Sequence, residues 1–456
     1  MRKYFGTDGI RRIANTELSP ELVFKVAKAG AYVLSKHTEH APTILIGRDT
    51  RISGTLIESA MTAGFLSYGA NVKSLGVLPT PAVAYLTKKL NADASVVISA
   101  SHNTFEFNGV KYFSNKGMKI SDSIEEEIEE IMDSDKLSEL TAVNENIGIS
   151  QNCEELADEY VDFIVSIFEE NIKSKITENS DFKVVIDTAN GATYKVAEKI
   201  FATLGIKYKI INNTPNGINI NRKCGSTHLE MLKEYVTENN YSLGIAYDGD
   251  GDRCLAVDEK GNIIDGDIIL ALTSKYLQDK GKLAKDTIVA TVMSNLGLTK
   301  FSNENNLNLI QTKVGDRYVL EEMLKNGYNL GGEQSGHVIF LDYNPTGDGI
   351  LTSLMLIELI LKSKKKTSEV CDIINIFPQV LVNAKVSNDK KYNFDKDAVI
   401  RSEIESLEKE FAGNGRVLIR PSGTEPLVRV MIEGEDIEYI TQKAKSIAEL
   451  IEERLK

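Results

Sequence analysis

The sequence predicts an α/β protein in which three similar units with mixed or parallel sheets are followed by a smaller α+β domain, all around a central cleft. Two observations support this prediction. Strand-like apolar runs alternate with helical stretches in three successive segments, which is typical of right-handed crossovers in a mostly parallel sheet. The chain also has 456 residues, which is too many for one hydrophobic core.

Each of the three units has three strand-like runs. They are residues 43–46, 71–77 and 94–98 in the first unit, 183–186, 207–211 and 242–246 in the second, and 288–291, 307–312 and 329–330 in the third. Ligands of such sheets bind beyond the carboxyl ends of the strands. The polar loops after the third strands are therefore predicted to carry the chemistry. These loops are residues 99–111, 248–253 and 331–337.

Changes in composition place four domains at residues 1–152, 153–257, 258–368 and 369–456. An acidic helical stretch and a polar segment close the first domain, and a run of lysines precedes the fourth. The fourth domain changes to strands with two amphipathic helices, near residues 395–411 and 437–456.

The composition limits the classes of partner. The formal net charge is −13 at pH 7, which argues against non-specific binding of nucleic acid, so an anionic substrate would need a local basic pocket. No segment has the length and purity of a membrane span, and the nearest, residues 350–361, predicts a buried helix. The N-terminus has no apolar signal region, and the scattered cysteines show no metal-type pairing. We therefore expect reduced thiols in a cytoplasmic protein.

The most informative motif is Asp-Gly-Asp-Gly-Asp-Arg at residues 248–253. Carboxylates at every second position point the same way on extended backbone, and the glycines let the backbone curl so that the carboxylates can converge. Anions at such short separations repel one another unless a cation lies between them. Hard oxygen ligands suit Mg²⁺ or Ca²⁺. Asp248, Asp250 and Asp252 are therefore predicted to bind a metal ion.

The same motif has two other interpretations. Its spacing imitates a Ca²⁺-binding loop, but the sixth position of such a loop is glycine, and here it is Arg253. An aspartyl phosphatase would use Asp248 as its nucleophile. An arginine beside a divalent cation suits a phosphoryl group in transfer, so Arg253 indicates phosphoryl chemistry.

The loop after the first unit's third strand contains Ser101 followed by a histidine. A serine hydrolase is one interpretation, but the glycines of a hydrolase elbow are missing. A serine that carries phosphate fits better, because the metal motif occupies the equivalent place in the next unit and phosphate oxygens can complete a three-carboxylate Mg²⁺ site. Lys111, in the same loop, is either a positive group or proton donor near the reaction or a solvated surface lysine.

The loop of the third unit alternates polar groups with glycines, which suits hydrogen bonds to the hydroxyls of a sugar. Glu333 and Ser335 point one way if this loop is extended. His337 can titrate near neutrality and serve as an acid or base. The alternative is a tight turn with an incidental histidine.

A basic pocket is predicted in the fourth domain. A strand-like run at residues 417–419 leads into a loop that contains glycine, two hydroxyls and an arginine, and a second arginine follows. Backbone N–H groups, hydroxyls and guanidinium forks together make a phosphate cradle. The candidate residues are Arg420, Ser422, Gly423, Thr424 and Arg429.

These four loops, in this order, resemble the signature loops of the α-D-phosphohexomutase family along nearly the whole chain. Residues 99–103 resemble the phosphoserine loop, 248–253 the metal loop, 332–337 the sugar loop, and 420–425 with Arg429 the phosphate-binding loop. Further motifs resemble the branch of that family that acts on glucosamine phosphates. They are residues 5–11, 219–221 with 224–228, and 312–319.

The resemblance implies an isomerase that interconverts glucosamine 6-phosphate and glucosamine 1-phosphate and so feeds the synthesis of UDP-N-acetylglucosamine and cell-wall precursors. Phosphorylated Ser101 would give its phosphoryl group to the free hydroxyl of the substrate. The resulting glucosamine 1,6-bisphosphate would turn over, and its other phosphate would return to Ser101. One Mg²⁺ per chain, bound by the aspartate triad and Ser101, would neutralise charge on the phosphoserine.

The resemblance also assigns roles to the other residues. The catalytic candidates are Ser101, Lys111, His337, Arg11 and Arg253. The candidates for binding substrate are Glu333, Ser335, Lys313, Arg420, Ser422, Gly423, Thr424 and Arg429. Within the catalytic set, the arginines and Lys111 would stabilise the transferring group, and His337 or Lys111 would manage the hydroxyl proton. The fourth domain would hold the phosphate that is not reacting and move as a lid.

Other functions remain open at this point. A phosphoglucomutase or phosphomannomutase is one alternative, because these residues do not directly read the substituent at C2 of the sugar. A non-enzymatic phosphosugar sensor is another, although the aspartate triad argues against it. We expect a small phosphosugar as partner, without nucleic acid or membrane, and the oligomeric state is open, with a homodimer as one alternative. Two departures from the family pattern are Arg12, where glycine is common, and Thr104, where proline is common; the second leaves the rigidity of the Ser101 loop in question.

Overall fold

The computed structural model describes residues 3–6, 8–36, 38–422 and 425–455. The chain forms two compact units. The first consists of residues 1–293 and 307–373, and the second consists of residues 294–306 and 374–456.

The first sheet has six strands in the order β1-β5-β4-β2-β3-β6. Its strands are β1 (Ile10–Ile13), β2 (Thr43–Arg48), β3 (Asn71–Val77), β4 (Ala94–Ile98), β5 (Phe107–Ser114) and β6 (Ser150–Asn152). Strands β2, β3, β4 and β6 are parallel. Strand β5 returns antiparallel beside β4, and β1 pairs antiparallel with β5. The sheet is therefore mixed, with a parallel centre.

The second and third sheets repeat this plan in the same compact unit. The second has the order β11-β10-β9-β7-β8, and the third has the order β13-β12-β14-β15. The strands of the second sheet are β7 (Lys183–Asp187), β8 (Lys207–Ile211), β9 (Leu243–Tyr247), β10 (Cys254–Asp258) and β11 (Ile263–Ile264). The strands of the third sheet are β12 (Thr287–Thr291), β13 (Asn308–Thr312), β14 (Leu330–Gly332) and β15 (Val338–Phe340).

The same type of hairpin occurs in each of the first three sheets. The chain leaves β4, β9 or β14, forms a polar loop and returns as the antiparallel strand β5, β10 or β15. The three loops that the sequence selected therefore lie at equivalent positions of three related sheets. The predicted fold class and its threefold repeat are confirmed.

Helices connect the strands. They are α1 (Pro20–Ser35), α2 (Gly54–Tyr68), α3 (Thr80–Lys89), α4 (Asp122–Met132), α5 (Lys136–Glu139), α6 (Ala157–Glu178), α7 (Val196–Thr203), α8 (Glu230–Glu238), α9 (Gly266–Asp279), α10 (Leu296–Glu304), α11 (Asp316–Asn326), α12 (Gly349–Ser363), α13 (Thr367–Cys371), α14 (Ala398–Phe411) and α15 (Ile437–Arg454). Short 3₁₀ segments lie at Asn144–Asn146, Glu154–Leu156 and Ala284–Asp286.

Side-chain caps start the helices that follow the site loops. The Asp265 carboxylate accepts from the N–H of Ile268 at the start of α9 (3.1 Å), and the Asp348 carboxylate accepts from the N–H of Leu351 at the start of α12 (3.0 Å). Each carboxylate satisfies a free N–H group of the first helical turn. Helix α12 is almost wholly buried, which confirms the prediction of a buried helix at residues 350–361. Among the described residues, no helix combines the length and the apolar character that crossing a membrane requires.

The second unit is α+β, as predicted for the fourth domain. Its antiparallel sheet has the order β16-β18-β17. The strands are β16 (Gln379–Lys385), β17 (Gly415–Pro421) and β18 (Leu427–Gly434), and α10, α14 and α15 belong to the same unit. The fully buried Glu433 connects α10 to the sheet, because its carboxylate accepts from the N–H of Leu296 (3.2 Å) and pairs with Arg416 (2.8 Å).

Candidate active site

The loop between β9 and β10 brings together the three carboxylates of the metal motif. Asp248, Asp250 and Asp252 are buried, and one oxygen of each lies within 4.8 Å of the chosen oxygens of the other two. Gly251 has a left-handed φ of +70°, a conformation that glycine adopts without strain. The backbone therefore turns sharply between Asp250 and Asp252, and the carboxylates converge.

This cluster leaves carboxylate oxygens free for a cation. Within the described parts of the chain, Asp250 Oδ1 and Asp252 Oδ1 are buried and accept no hydrogen bond, which is costly for a charged oxygen. Burial, together with the nearby carboxylates of Asp252 and Asp250, raises the pKa of Asp248 well above its ordinary value. A hard divalent cation would relieve both costs, so the residues fit Mg²⁺.

Ser101 lies directly beside the cluster. Its hydroxyl donates a hydrogen bond to Asp248 Oδ2 at 2.6 Å, and its N–H donates to Ser99 Oγ at 2.9 Å. Ser101 also has a φ of +50°, which is uncommon for a residue with a side chain. The structure thus brings the Ser101 loop and the metal loop together.

Buried side chains hold the Ser101 loop. The Arg51 guanidinium donates to the carbonyl oxygens of Ser101 (2.9 Å), Asn103 (2.8 Å), Phe107 (3.1 Å) and also Thr104. These hydrogen bonds fix the backbone at the position where threonine replaces the usual proline. The other departure lies away from the carboxylate cluster, since the Arg12 guanidinium donates to the Lys3 carbonyl at an exposed position (2.9 Å).

Lys111 is buried in the site and is not a solvated surface lysine. It lies on β5, its side chain is 2% exposed, and its Nζ is 3.0 Å from Asp250 Oδ2, 3.1 Å from Asp8 Oδ2 and 3.9 Å from Asp252 Oδ2. Burial alone would lower the pKa of Lys111, but the carboxylates of Asp250 and Asp8 raise it above its ordinary value. Lys111 is therefore a permanent positive charge at neutral pH.

A second group of charges lies next to Lys111. Arg11 donates to Asp8 Oδ2 (2.7 Å) and Asn103 Oδ1 (3.0 Å). Lys119 donates to Asp8 Oδ1 (2.5 Å) and Asp316 Oδ2 (2.6 Å). Asp8, Lys119 and Asp316 were not among the residues predicted from the sequence. The available signal was that both aspartates lie in motifs typical of the glucosamine-phosphate branch.

His337 lies between two of these carboxylates. Its Nδ1 is 3.5 Å from Asp252 Oδ2 and its Nε2 is 3.6 Å from Asp316 Oδ2. Burial lowers the pKa of His337, but the carboxylates of Asp252 and Asp316 outweigh burial, so the pKa is raised. The N–H of Gly347 donates to Nε2 at 3.0 Å. When the ring is neutral, this bond leaves its proton on Nδ1, facing Asp252.

The predicted sugar loop is a tight turn and not an extended segment. The N–H of Gly336 donates to the Glu333 carbonyl at 3.0 Å and closes the turn. Burial raises the pKa of the Glu333 carboxyl. Ser335 Oγ is buried and has no hydrogen-bond partner among the described residues. Lys313 is exposed in the connection between β13 and α11.

Arg253 completes the metal loop. Its N–H donates to Asp248 Oδ1 at 3.2 Å, and its Nη1 lies 3.4 Å from His102 Nδ1. Burial and the positive charge of Arg253 lower the pKa of His102 to about 4, so His102 is neutral at pH 7. The Arg253 Nε is buried without a hydrogen-bond partner in the described parts of the chain.

Arg420 and Arg429, two of the residues predicted to bind phosphate, lie on the hairpin of β17 and β18 in the second compact unit. Arg420 and Arg429 are directly opposite each other in the register, and like charges in this position repel. Burial and the Arg429 charge lower the pKa of Arg420. Lys391, buried and missed by sequence reasoning, donates to the carbonyl oxygens of Ser422 (2.6 Å) and Glu425 (3.3 Å). The predicted contributions of Gly423 and Thr424 lie outside the described residues. This excess of positive charge suits a phosphate.

Comparison with known proteins identifies the class. Sequence models of four domains of phosphoglucomutase/phosphomannomutase match residues 2–139 (domain I), 158–261 (domain II), 265–377 (domain III) and 381–450 (C-terminal domain). The chain belongs to the phosphoglucomutase/phosphomannomutase family. It is therefore a phosphohexomutase, an isomerase that transfers a phosphoryl group within a sugar phosphate.

Individual relatives show which members of the family this chain resembles. The phosphoglucosamine mutase of Clostridium acetobutylicum is 53% identical over 454 residues, which cover 100% of both chains. A phosphoglucomutase/phosphomannomutase family protein from Burkholderia thailandensis has a TM-score of 0.79 at 22% identity, covering 98% of each chain. An N-acetylphosphoglucosamine mutase from Aspergillus fumigatus, solved in complex with GlcNAc-6P and magnesium, has a TM-score of 0.65 at 17% identity, covering 100% of this chain and 96% of that one. At these identities the two solved structures establish the fold alone.

The free carboxylate oxygens generate a prediction about metal binding. Asp250→Asn should weaken Mg²⁺ binding by at least about tenfold, because it removes one of three anionic ligands, and loss of even an indirect partner commonly costs that much. Titration calorimetry with MgCl₂ measures the change. The matched control is Asp279→Asn, at the exposed end of α9. Equal Mg²⁺ affinity in Asp250→Asn and wild type would rule out the triad as the metal site.

Proposed function

We propose that this chain is a phosphoglucosamine mutase, which interconverts glucosamine 6-phosphate and glucosamine 1-phosphate through phosphorylated Ser101. The observation that carries the proposal is the 2.6 Å hydrogen bond from the Ser101 hydroxyl to Asp248 within a cluster of buried carboxylates. Two relatives that are 53% identical to this chain carry the name phosphoglucosamine mutase. They favour an amino-sugar substrate over the glucose and mannose phosphates of the alternative mutases.

The proposed reaction has two balanced transfers. In the first, the free hydroxyl of the substrate attacks the phosphorus of phosphoserine, the bond between phosphorus and Ser101 Oγ breaks, and glucosamine 1,6-bisphosphate forms. In the second, Ser101 Oγ attacks the phosphorus of the other phosphate, whose ester bond to the sugar breaks. The sugar leaves with its phosphate at the new position, and the enzyme is again phosphorylated.

The charges around Ser101 support this chemistry. Lys111 stays protonated because of the carboxylates of Asp250 and Asp8, so we assign it to stabilise the transferring phosphoryl group and not to accept a proton. Arg11 and Arg253 would add positive charge for the same purpose. His337 would hold or move the proton of the sugar hydroxyl, because an imidazole can take up and release a proton near neutral pH.

Mg²⁺ would be held by Asp248, Asp250, Asp252 and the phosphate on Ser101, one ion per chain. When bound, it supplies positive charge that neutralises the phosphoserine oxygens. The protein's own part is to keep the three carboxylates converged and their free oxygens pointed at one place.

Substrate binding is proposed for two places. They are the loop between β14 and β15 and the hairpin of β17 and β18. Glu333 offers a carboxyl group for the sugar's hydroxyl groups, and Ser335 offers a hydroxyl that has no hydrogen-bond partner among the described residues. Lys313 would bind the sugar phosphate. Arg420, Arg429 and the intervening loop would hold the phosphate that is not reacting. Because either phosphate takes that role in turn, one cradle would serve both directions.

The division into domains at residues 152, 257 and 368 is also a proposal. The sheets of the first, third and fourth segments each fall within one segment, but the boundary after residue 257 cuts the second sheet just before Asp258, the last residue of β10. The partner strand β11 extends the second sheet to Ile264.

The experiment that tests the proposed function is a mutase assay with the 1-phosphates and 6-phosphates of glucosamine, glucose and mannose in parallel. We expect the highest kcat/KM with glucosamine phosphates. A higher kcat/KM with glucose or mannose phosphates would contradict the assignment of the amino sugar.

Replacement of the proposed nucleophile tests the phosphoserine. Ser101→Ala should abolish turnover, because no oxygen remains to carry the phosphoryl group, while substrate still binds. Intact-protein mass spectrometry should find one phosphate on the active wild type and none on the variant. The control is Ser59→Ala, because Ser59 is exposed on α2. Ser99→Ala is unsuitable, since the Ser99 hydroxyl holds the Ser101 loop. Normal turnover by Ser101→Ala would disprove the mechanism, and an active wild type that never carries phosphate would do the same.

Removal of one guanidinium tests the shared cradle. Arg420→Ala should lower kcat/KM by about ten- to a hundredfold, since a charge-assisted hydrogen bond contributes about 1.5–3 kcal/mol. The loss should appear with both the 1-phosphate and the 6-phosphate, and added bisphosphate should restore part of the rate. Arg401→Ala, exposed on α14, is the control. The overall equilibrium fixes the ratio of kcat/KM in the two directions, so the deciding quantity is the dissociation constant of each monophosphate. Weaker binding of only one of the two would mean two separate phosphate sites.

A further inference from the structure

One motif of the sequence has no part in the chemistry described so far. Residues 219–221, between β8 and α8, resemble the glucosamine-phosphate branch, yet they supply neither a metal ligand nor a charge to the site. The structure places Asn221 against the Ser101 loop. Its Nδ2 donates to the carbonyl oxygen of Ser101 and to that of Asn103, both at 2.8 Å.

The backbone at Ser101 needs such support. Its φ of +50° is a conformation that a side chain disfavours and that persists only when neighbouring groups enforce it. Arg51 donates to the same two carbonyl oxygens, at 2.9 Å for Ser101 and 2.8 Å for Asn103. Arg51 follows β2 of the first sheet, whereas Asn221 follows β8 of the second. The Ser101 carbonyl is therefore held by both sheets.

Asn221 is itself rigidly placed. It is buried, its φ is +56°, and its N–H donates to the Ala189 carbonyl at 2.9 Å. The metal loop packs on the same atoms. A Cβ atom on Gly249 would lie 2.5 Å from the Ser101 carbonyl oxygen and 2.8 Å from Asn221 Nδ2. The Ser101 carbonyl, the Asn221 amide and the metal-loop backbone thus form one close contact.

We propose that Asn221 is a positioning residue that fixes the Ser101 backbone against the metal-binding loop. This inference rests on the proposed function only in that Ser101 is the group that carries phosphate. The Asn221 amide donates to the Ser101 carbonyl oxygen and not to the reacting hydroxyl, so its effect on the reaction is through the orientation of Ser101 Oγ. Its loss should slow phosphoryl transfer and leave the affinity for the sugar phosphate nearly unchanged.

The test uses two variants of the full-length protein. Asn221→Asp has the same shape but places a carboxylate oxygen against two carbonyl oxygens, and Asn221→Ala removes the two donors without adding repulsion. The control is Asn216→Asp, an exposed residue of the same segment whose Oδ1 accepts from the Ile218 N–H and can still do so as aspartate.

In Asn221→Asp, kcat should fall roughly ten- to a hundredfold in both directions, the loss typical of a misplaced reacting group. KM should stay within about threefold, because the substrate-binding groups are untouched. Asn221→Ala should lose less, and Asn216→Asp should match wild type. A purely structural role would lower the folded fraction and leave kcat per folded molecule at the wild-type value.

Two results would overturn the proposal. One is a kcat per folded molecule within about twofold of wild type in Asn221→Ala, which decides the case even if Asn221→Asp does not fold. The other is unchanged hydrogen exchange of the Ser101-loop amides in Asn221→Ala, since loss of the two donors should speed this exchange. The exchange measurement needs no substrate. A wild type inactive on glucosamine phosphates would therefore contradict the proposed function while the positioning role is still tested.

Discussion

The repulsion among three buried carboxylates is the constraint on which the rest of the site depends. Asp248, Asp250 and Asp252 present oxygens within 4.8 Å of one another, and burial makes their negative charge more costly. The chain offsets part of that cost with Lys111 and with the Thr80 hydroxyl, which donates to Asp250 at 2.7 Å. The carboxylate oxygens that lack donors among the described residues then favour a divalent cation at this position.

The compensation extends outward in alternating layers of charge. Lys111 contacts Asp8 as well as the triad, Asp8 pairs with Arg11 and Lys119, and Lys119 reaches Asp316 on α11. Each ion in this series therefore has a partner of opposite sign within the compact unit. These ion pairs hold the positive groups near the Ser101 loop in place before any ligand binds. Phosphoryl transfer depends on charges that are positioned in advance in this way.

The sequence predicted most of the fold and the centre of the site, because both depend on local patterns. Alternating strands and helices located the three sheets, and the loops after β4, β9 and β14 contained the candidate residues. The charge partners could not be predicted in this way. Lys119 and Asp316 meet only because the first and third sheets pack in one unit, and the sequence separation of 197 residues leaves no local trace.

Other features of the site could not be predicted from the sequence for different physical reasons. The turn at Glu333 depends on a backbone hydrogen bond, and alternating glycines fit a turn and an extended segment equally well. Lys391 looks like an ordinary surface lysine in the sequence, because its burial depends on how the hairpin of β17 and β18 folds over it. Asn221 was visible as part of a motif, but its role depends on the unusual backbone of Ser101, which composition does not reveal.

Single-turnover transfer tests the central claim most directly. Protein carrying radioactive phosphate on Ser101 would be mixed with excess unlabelled glucosamine 6-phosphate and quenched within one turnover. The account predicts that the label leaves the protein in that turnover, appears first in glucosamine 1,6-bisphosphate and then at C1 of glucosamine 1-phosphate. Label that stays on the protein while product forms at the steady-state rate would contradict it.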